Sequence, residues 1–179
     1  MTKAKPPPTR SVWVLRHAKA EAHGPDDQRR ALTERGRRQA TDVGRYLAGG
    51  PGCDAAVPRT VLCSSARRAR QTAELAVAPL GSDVEIVVEP ALYGADPDDV
   101  VDLLRTLDDE AGSVLVVGHN PTLHELAVLL LDDAAVEERA RLEARFPTAA
   151  LAVVGVPAAT WGRLALGTGR LLDLRFAES

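Results

Sequence analysis

The chain has 179 residues, 45% of them apolar and 26% charged, proportions that suit one soluble globular domain and are too apolar for a disordered chain. Lysine and arginine number 22 against 25 acidic residues, and the net charge of −3 offers neither an overall basic field for nucleic acid nor a strong acidic excess. Any anion-binding site must therefore be local, and no stretch approaches the roughly 18 consecutive apolar residues that a membrane helix requires.

Met1 to Arg10 combines lysine and proline without an apolar run, which predicts a flexible tail rather than a signal peptide, ahead of a single domain over residues 11–179. Ser11 to Leu15 then forms a short apolar run that predicts a buried strand ending at Arg16-His17. From Ala18 to Leu32 the composition turns polar and reads as a loop. Thr33 offers an N-cap to a helix carrying Ala40, Val43, Gly44 and Leu47 at helical spacing, ended by Gly49-Gly50-Pro51-Gly52.

The alternation continues. Thr60 to Cys63 is a second strand, Ser64-Ser65 supply a candidate cap, and Ala69, Ala73 and Ala76 mark the inward face of the next helix. Val84 to Val88 is a third strand. Asp96 caps and Pro97 opens a helix whose stripe is Val100, Leu103, Leu104 and Leu107. Ser113 to Val117 is a further strand, and Asn120-Pro121 cap and open a helix faced by Leu123, Leu126, Ala127, Leu130 and Leu131. After the charged stretch from Glu137 to Arg145, Ala149 to Val156 and Trp161 to Leu166 read as two closing strands, a hairpin around Pro157 to Thr160.

Strands alternating with helices of this length imply βαβ crossovers, hence an α/β fold: a three-layer α/β/α sandwich around a mostly parallel central sheet. Ligands of such sheets bind beyond the carboxyl ends of the strands, where loops and helix N-termini converge. Cys53 and Cys63 match neither a C-x-x-C redox pair nor a zinc knuckle and suit incidental thiols of a cytoplasmic protein.

Three strand ends carry the chemistry: Arg16-His17-Ala18, Ser64-Ser65-Ala66-Arg67-Arg68 and Gly118-His119-Asn120-Pro121. Alone, His17 is compatible with a loop histidine bonded to nearby backbone, and Arg67 and Arg68 with a solvated helix face. Together they suit phosphoryl chemistry. A neutral imidazole attacks phosphorus once one ring nitrogen is held as a donor and the other presents its lone pair. Arginine forks grip phosphoryl oxygens bidentately, only one of Arg67 and Arg68 being able to face the pocket, and His119 adds a donor beside a helix N-terminus. His119, His124 and Glu125 lack the H-E-x-x-H spacing, so neither a metal nor another cofactor is expected. Among the loop residues, Glu21, His23 or Asp26 are placed to approach a substrate.

These residues resemble the histidine phosphatase superfamily, which has a phosphoglycerate-mutase-like fold, and in particular its small SixA-type phosphohistidine phosphatases. The resemblance runs from Val12 onward through Val14-Leu15-Arg16-His17-Ala18, Arg30-Ala31-Leu32-Thr33 with Gly36, Leu62-Cys63-Ser64 with Arg68-Ala69-Arg70-Gln71-Thr72, and Val116-Val117-Gly118-His119-Asn120-Pro121. It implies that His17 is the phosphorylated nucleophile and that Arg16, Arg68 and His119 form the phosphate pocket. The same match selects Arg68 over Arg67 and implies a phosphate or substrate contact for Arg30.

Two departures stand out. Ala18 replaces the signature glycine and requires an ordinary backbone conformation there. The carboxylic acid that larger members use to protonate the leaving oxygen is absent, since Asn120 follows the second histidine and Glu89 stands one residue out of register ahead of Tyr93-Gly94. A site without a dedicated acid favours P–N over P–O cleavage, because an alkoxide leaving group gains about 10² to 10⁴ from general acid catalysis. The expected function is thus a metal-independent phosphatase acting on protein phosphohistidine, with a phosphorylated protein as partner. The alternatives are a small-molecule phosphomonoesterase or phosphosugar phosphatase and, from another class, a non-catalytic module that binds phosphorylated partners. Oligomeric state has no signal in the sequence.

Overall fold

Side chains that read as continuous apolar runs in the sequence divide, residue by residue, between two cores. Along β1 (Arg10–Arg16) and β4 (Ser113–Gly118), Val12, Val14, Val114 and Val116 enter one core, while Trp13, Leu15, Leu115 and Val117 enter the other. A period of two with both faces apolar demands cover on each side. The computed structural model describes residues 10–177, so the expected tail lies outside the described residues except for Arg10. That residue corrects the expected boundary: it opens β1 and is buried, donating to the carbonyls of Asp109, Ala111 and Ala159 and pairing with the Asp109 carboxylate.

The central sheet has six strands in the order β3-β2-β4-β1-β5-β6, with β2 (Thr60–Ser64), β3 (Glu85–Glu89), β5 (Leu151–Val156) and β6 (Arg170–Arg175). The first four strands run parallel, and β5 pairs antiparallel with β1 and with β6. Helices α1 (Glu34–Ala48) and α2 (Arg67–Val77) cover the Trp13 face through Val43, Leu47, Ala69, Ala73 and Ala76. Helices α3 (Pro97–Arg105), α4 (Thr122–Leu130) and α5 (Val136–Ala144) cover the opposite face through Val100, Leu104, Leu126 and Leu142. The architecture is the expected α/β sandwich with a mixed, mostly parallel sheet.

Local signals set most boundaries. Thr33 caps α1 by accepting from the Gly36 amide, and Asp96 and Asp99 form a reciprocal capping box on α3. Three expectations need correction. Ser64 and Ser65 do not cap α2, whose N-cap is Ala66; Ser64 stays in β2 and turns its hydroxyl to a histidine. Trp161 to Leu166 is not a strand: Trp161–Arg163 is a 3₁₀ turn, and its buried indole donates to the Ala111 carbonyl. The apolar spacing of Trp161 and Leu164 is that of one tight helical turn. The strand that pairs with β5 is β6, an edge strand whose arginines and aspartate mask its pattern, so the connection is longer than a hairpin.

The loop from Ala18 to Leu32 is pinned rather than free. Ala20 bridges Leu32, the Glu21 amide donates to the Ala31 carbonyl, and Asp27–Arg29 forms a 3₁₀ turn. Helix α1 approaches this loop so closely that a Cβ on Gly36 would lie 2.0 Å from the Lys19 carbonyl oxygen. Gly36→Ala is therefore expected to destabilise the fold by about 2 kcal/mol or more, in line with overpacking against a backbone that cannot give way. Urea unfolding measures this, and a midpoint equal to that of the parent would contradict the close approach.

Candidate active site

Strand β4 lies between β1 and β2, so their carboxyl ends meet on one edge of the sheet. Arg16 stands opposite Gly118, and the His17 amide extends that ladder by donating to the Gly118 carbonyl at 2.9 Å. His17 and His119, each one residue past its strand, are thereby neighbours, with ring centroids 5.2 Å apart. His17 is 9% exposed.

Hydrogen-bond partners define both tautomers. His17 Nδ1 lies 2.8 Å from the Ala18 carbonyl oxygen, which can only accept, so Nδ1 carries the proton and Nε2 the lone pair. Arg68 Nε donates to that Nε2 at 3.3 Å. The Arg68 guanidinium also points Nη2 at His119 Nδ1, 3.3 Å away; a guanidinium only donates, so this nitrogen holds the lone pair and His119 Nε2 donates to Ser64 Oγ at 2.8 Å. Ala18 adopts no positive φ, and its amide donates to Thr72 Oγ1 at 3.0 Å, which explains why alanine is tolerated there.

Arg68 is buried at the start of α2 while Arg67 is exposed, as only one of the pair can face inward. Beyond the histidines, Arg68 donates to the Asp27 carbonyl at 2.7 Å and pairs with Asp27 Oδ2 at 3.0 Å. The same carboxylate oxygen accepts from the Tyr93 hydroxyl at 2.8 Å, while Oδ1 accepts from Arg30 Nε at 2.9 Å. The Tyr93 hydroxyl first, then Arg30 and Arg68, hold the Asp27 carboxyl well below the usual carboxylate range, so it is an anion. Arg16 and Asn120 both donate to the Phe146 carbonyl at 2.9 Å, leaving Arg16 Nε and Asn120 Oδ1 buried without partners.

Burial is the main reason that His17 is pushed down to about 4 and His119 to about 3, with the Arg68 charge lowering both. Both rings are therefore neutral near neutral pH. They border a cavity of about 600 Å³ shared with Arg16, Arg30, Arg68 and Asn120. A second cavity of about 510 Å³ also borders Asp27, Arg68 and His119 and runs on past Tyr93 and Asp96.

The structure thus brings Arg16, His17, Arg68 and His119 to one cavity, with Arg30 on its wall. Asn120 corrects the expected cap, because its amide serves Phe146 and it lines the cavity, while α4 has no side-chain cap. Asp26 is replaced by its neighbour: it caps the 3₁₀ turn by accepting from the Arg29 amide, which leaves Asp27 to face Arg68. Glu89 accepts from the Ala91 amide and borders neither cavity. His124 is bonded to the Leu142 carbonyl oxygen and stacks on Phe146. The sequence reading missed the roles of Asp27 and Tyr93 and took Ser64 for a cap; the adjacent Asp26-Asp27, one capping and one free to turn inward, was the available signal. Among the described residues no group of three or more histidine, cysteine or acidic side chains is arranged to hold a metal ion, and no helix is long and apolar enough to cross a membrane.

This set of strand-end histidines and arginines on an α/β sandwich is that of a known class: residues 12–103 match the model of the histidine phosphatase superfamily, branch 1, and the chain belongs to that family. An uncharacterised protein of Mycobacterium tuberculosis is 40% identical over 164 residues, 88% of this chain and 96% of that protein. Among solved structures, the Nakamurella multipartitia protein designated phosphohistidine phosphatase SixA superposes with a TM-score of 0.80 at 27% identity, covering 95% of this chain and 97% of that one. The protein histidine phosphatase SixA in complex with tungstate gives 0.73 at 26% identity, over 92% and 95% of the two chains.

The depressed histidines make a prediction with a definite sign. Imidazole NMR of the free protein is expected to show His17 and His119 neutral through pH 5, with midpoints near 4 and 3. Between the ordinary value of 6.5 and about 4 the unfolded chain binds more protons at His17 than the native state, so lowering the pH through that window destabilises the fold. A His17 midpoint near 6.5 would contradict its desolvation.

Proposed function

We propose that the protein is a phosphatase that passes a phosphoryl group through a covalent adduct on His17, and that its substrate is phosphohistidine on a protein. The observation that carries this reading is the His17 ring: Nδ1 is tied to the Ala18 carbonyl, and the Nε2 lone pair faces the Arg68 guanidinium. Attack by Nε2 forms the P–N bond to His17 as the bond to the leaving group breaks, its electron pair departing with that group. Water then attacks the adduct, a P–O bond forms with both water protons leaving on the phosphate, and the pair of the P–N bond returns to Nε2. Arg16 Nε, buried and unpartnered, and the Arg68 fork supply donors to the phosphoryl oxygens. The anion raises the basicity of His119 Nδ1, which then takes a proton and becomes a further donor.

The choice of substrate rests on the leaving group. Asp27 is ionised and Glu89 is engaged at a backbone amide, so neither is a ready acid for an alkoxide. A protonated imidazole departs without one. Support also comes from the SixA neighbours, one of them bound to tungstate, an oxyanion with the tetrahedral shape of phosphate. The arginines provide the positive charge that a metal would otherwise supply, so turnover is expected to survive EDTA.

Parallel turnover of a phosphohistidine peptide, p-nitrophenyl phosphate and phosphosugars in EDTA tests this function. The peptide is expected to be preferred; a preference for phosphosugars would favour the small-molecule phosphatase, and no turnover at all would favour a binding module. His17→Ala is expected to abolish turnover, and brief exposure of the parent to substrate to give an acid-labile phosphoenzyme at His17; label on another residue would overturn the assignment. Arg68→Lys is expected to lose about 10² in kcat, because an ammonium cannot reproduce the fork. Near-native kinetics would remove Arg68 from the proposed machinery.

A further inference from the structure

A carboxylate is an unexpected occupant of a phosphate pocket. Asp27 Oδ2 sits on Arg68 Nη2, in competition with any phosphoryl oxygen that seeks the same donor, and its charge repels a dianion. A site whose sole task was to hold phosphate would gain from its removal. Yet four side chains face the carboxylate: Tyr93 and Arg68 on one oxygen, Arg30 on the other, and the exposed His23 ring, whose Nδ1 lies 3.4 Å from Oδ1.

Its position suggests what the negative charge is for. Asp27 borders both cavities, whereas His17 borders only the first, so the carboxylate stands between the nucleophile and the groove that runs past Tyr93. From His17 Nε2 to Asp27 Oδ2 the path crosses one guanidinium and its two contacts of 3.3 and 3.0 Å. Arg68 is thus the group that the proposed nucleophile and the carboxylate share. When phosphoryl oxygens take Arg68 Nη2, Oδ2 keeps the Tyr93 hydroxyl, Oδ1 keeps Arg30, and one acceptor position on Oδ2 falls open.

We infer that Asp27 is a specificity-determining residue: its carboxylate accepts the hydrogen bond of the protonated far ring nitrogen of phosphohistidine and so selects substrates with a cationic P–N leaving group over phosphate esters, whose leaving group carries no positive charge. The inference rests on the phosphohistidine reading above. In the step it serves, the His17 Nε2–P bond forms and the P–N bond of the substrate breaks, with its electron pair going to the ring nitrogen. The proton on the far nitrogen stays where it is, and a neutral imidazole leaves. Asp27 transfers no proton; it stabilises the cationic form of the substrate, in which the leaving group needs no acid. An alkyl phosphate has no such cation, and for it the carboxylate is only a competing charge.

The test compares the parent, Asp27→Asn and Asp27→Glu on phosphoimidazole and on p-nitrophenyl phosphate, in EDTA and across pH. Asp27→Asn is expected to lower kcat/KM for phosphoimidazole by about tenfold or more, the scale of a hydrogen bond to a charged group. For p-nitrophenyl phosphate it is expected to raise the same quantity, because Arg68 loses its resident counter-charge. The alkaline fall of phosphoimidazole turnover should also move to lower pH in Asp27→Asn, and Asp27→Glu should recover most of the selectivity. An equal loss on both substrates with an unmoved pH profile would reduce Asp27 to a brace for Arg68, overturning the inference while leaving the phosphatase reading intact. A parent inert toward phosphoimidazole but active on phosphosugars would overturn that reading, and this inference with it.

Discussion

The site depends on one buried guanidinium. Arg68 donates to His17 Nε2, to the Asp27 carbonyl and to the Asp27 carboxylate, and it also reaches His119 Nδ1. Each of these contacts uses a different direction of a planar fork, which an ammonium on a flexible stem cannot supply together. The permanent charge beside two desolvated imidazoles reinforces the effect of burial, and both rings stay neutral. A lone pair on His17 is thus a consequence of the packing around Arg68. Asp27 in turn gives the buried cation a carboxylate partner at the cavity wall.

Behind this fork, two helices hold the segment after His17 through side chains on their inner faces. On α2, Arg68, Gln71 and Thr72 occupy successive positions of one helical face. Gln71 accepts from the Leu32 amide, and Thr72 accepts from the Ala18 amide while donating to the Arg68 carbonyl. On α1, Gln39 accepts from the Lys19 amide, and Gly36 lets the helix approach the Lys19 carbonyl. The spacing of Arg68, Gln71 and Thr72 therefore has a mechanical meaning: one residue faces the His17 ring, and the next two satisfy the backbone of the loop that follows it.

The proposed chemistry turns on the side chains that stand where a general acid was sought. Asn120, at one of the usual positions, is bonded to the Phe146 carbonyl that also holds Arg16, and Glu89 caps a short turn. The carboxylate that does border the pocket, Asp27, is ionised and held by donors, which suits it to recognise a cation and not to give up a proton.

The elements most legible in the sequence were those whose signals are local. Short continuous apolar runs mark β1 and β4, Thr33 and Asp96 mark the starts of α1 and α3, and strand-end positions mark His17 and His119. Arg16 and Arg68 were legible because each stands at or just past a strand end, where fixed positive charge suits an anion site. Misread segments had competing local signals: Trp161 to Leu166 has apolar residues that fit a tight turn as well as a strand, and Ser64 and Asn120 have the chemistry of caps. Both polar side chains are claimed instead by partners distant in the chain, His119 and Phe146. Asp27 and Tyr93 were hidden for the same reason. The 3₁₀ turn that aims Asp27 is local and signalled by Asp26-Asp27, but the chain path that brings Tyr93 within 2.8 Å of it joins residues 66 apart, and no periodicity or spacing records such a contact. Covalent order and side-chain chemistry were enough to single out His17, His119, Arg16 and Arg68 as residues of one site; the tautomers, the depressed basicity and the resident carboxylate exist only once folding removes water and brings those groups together.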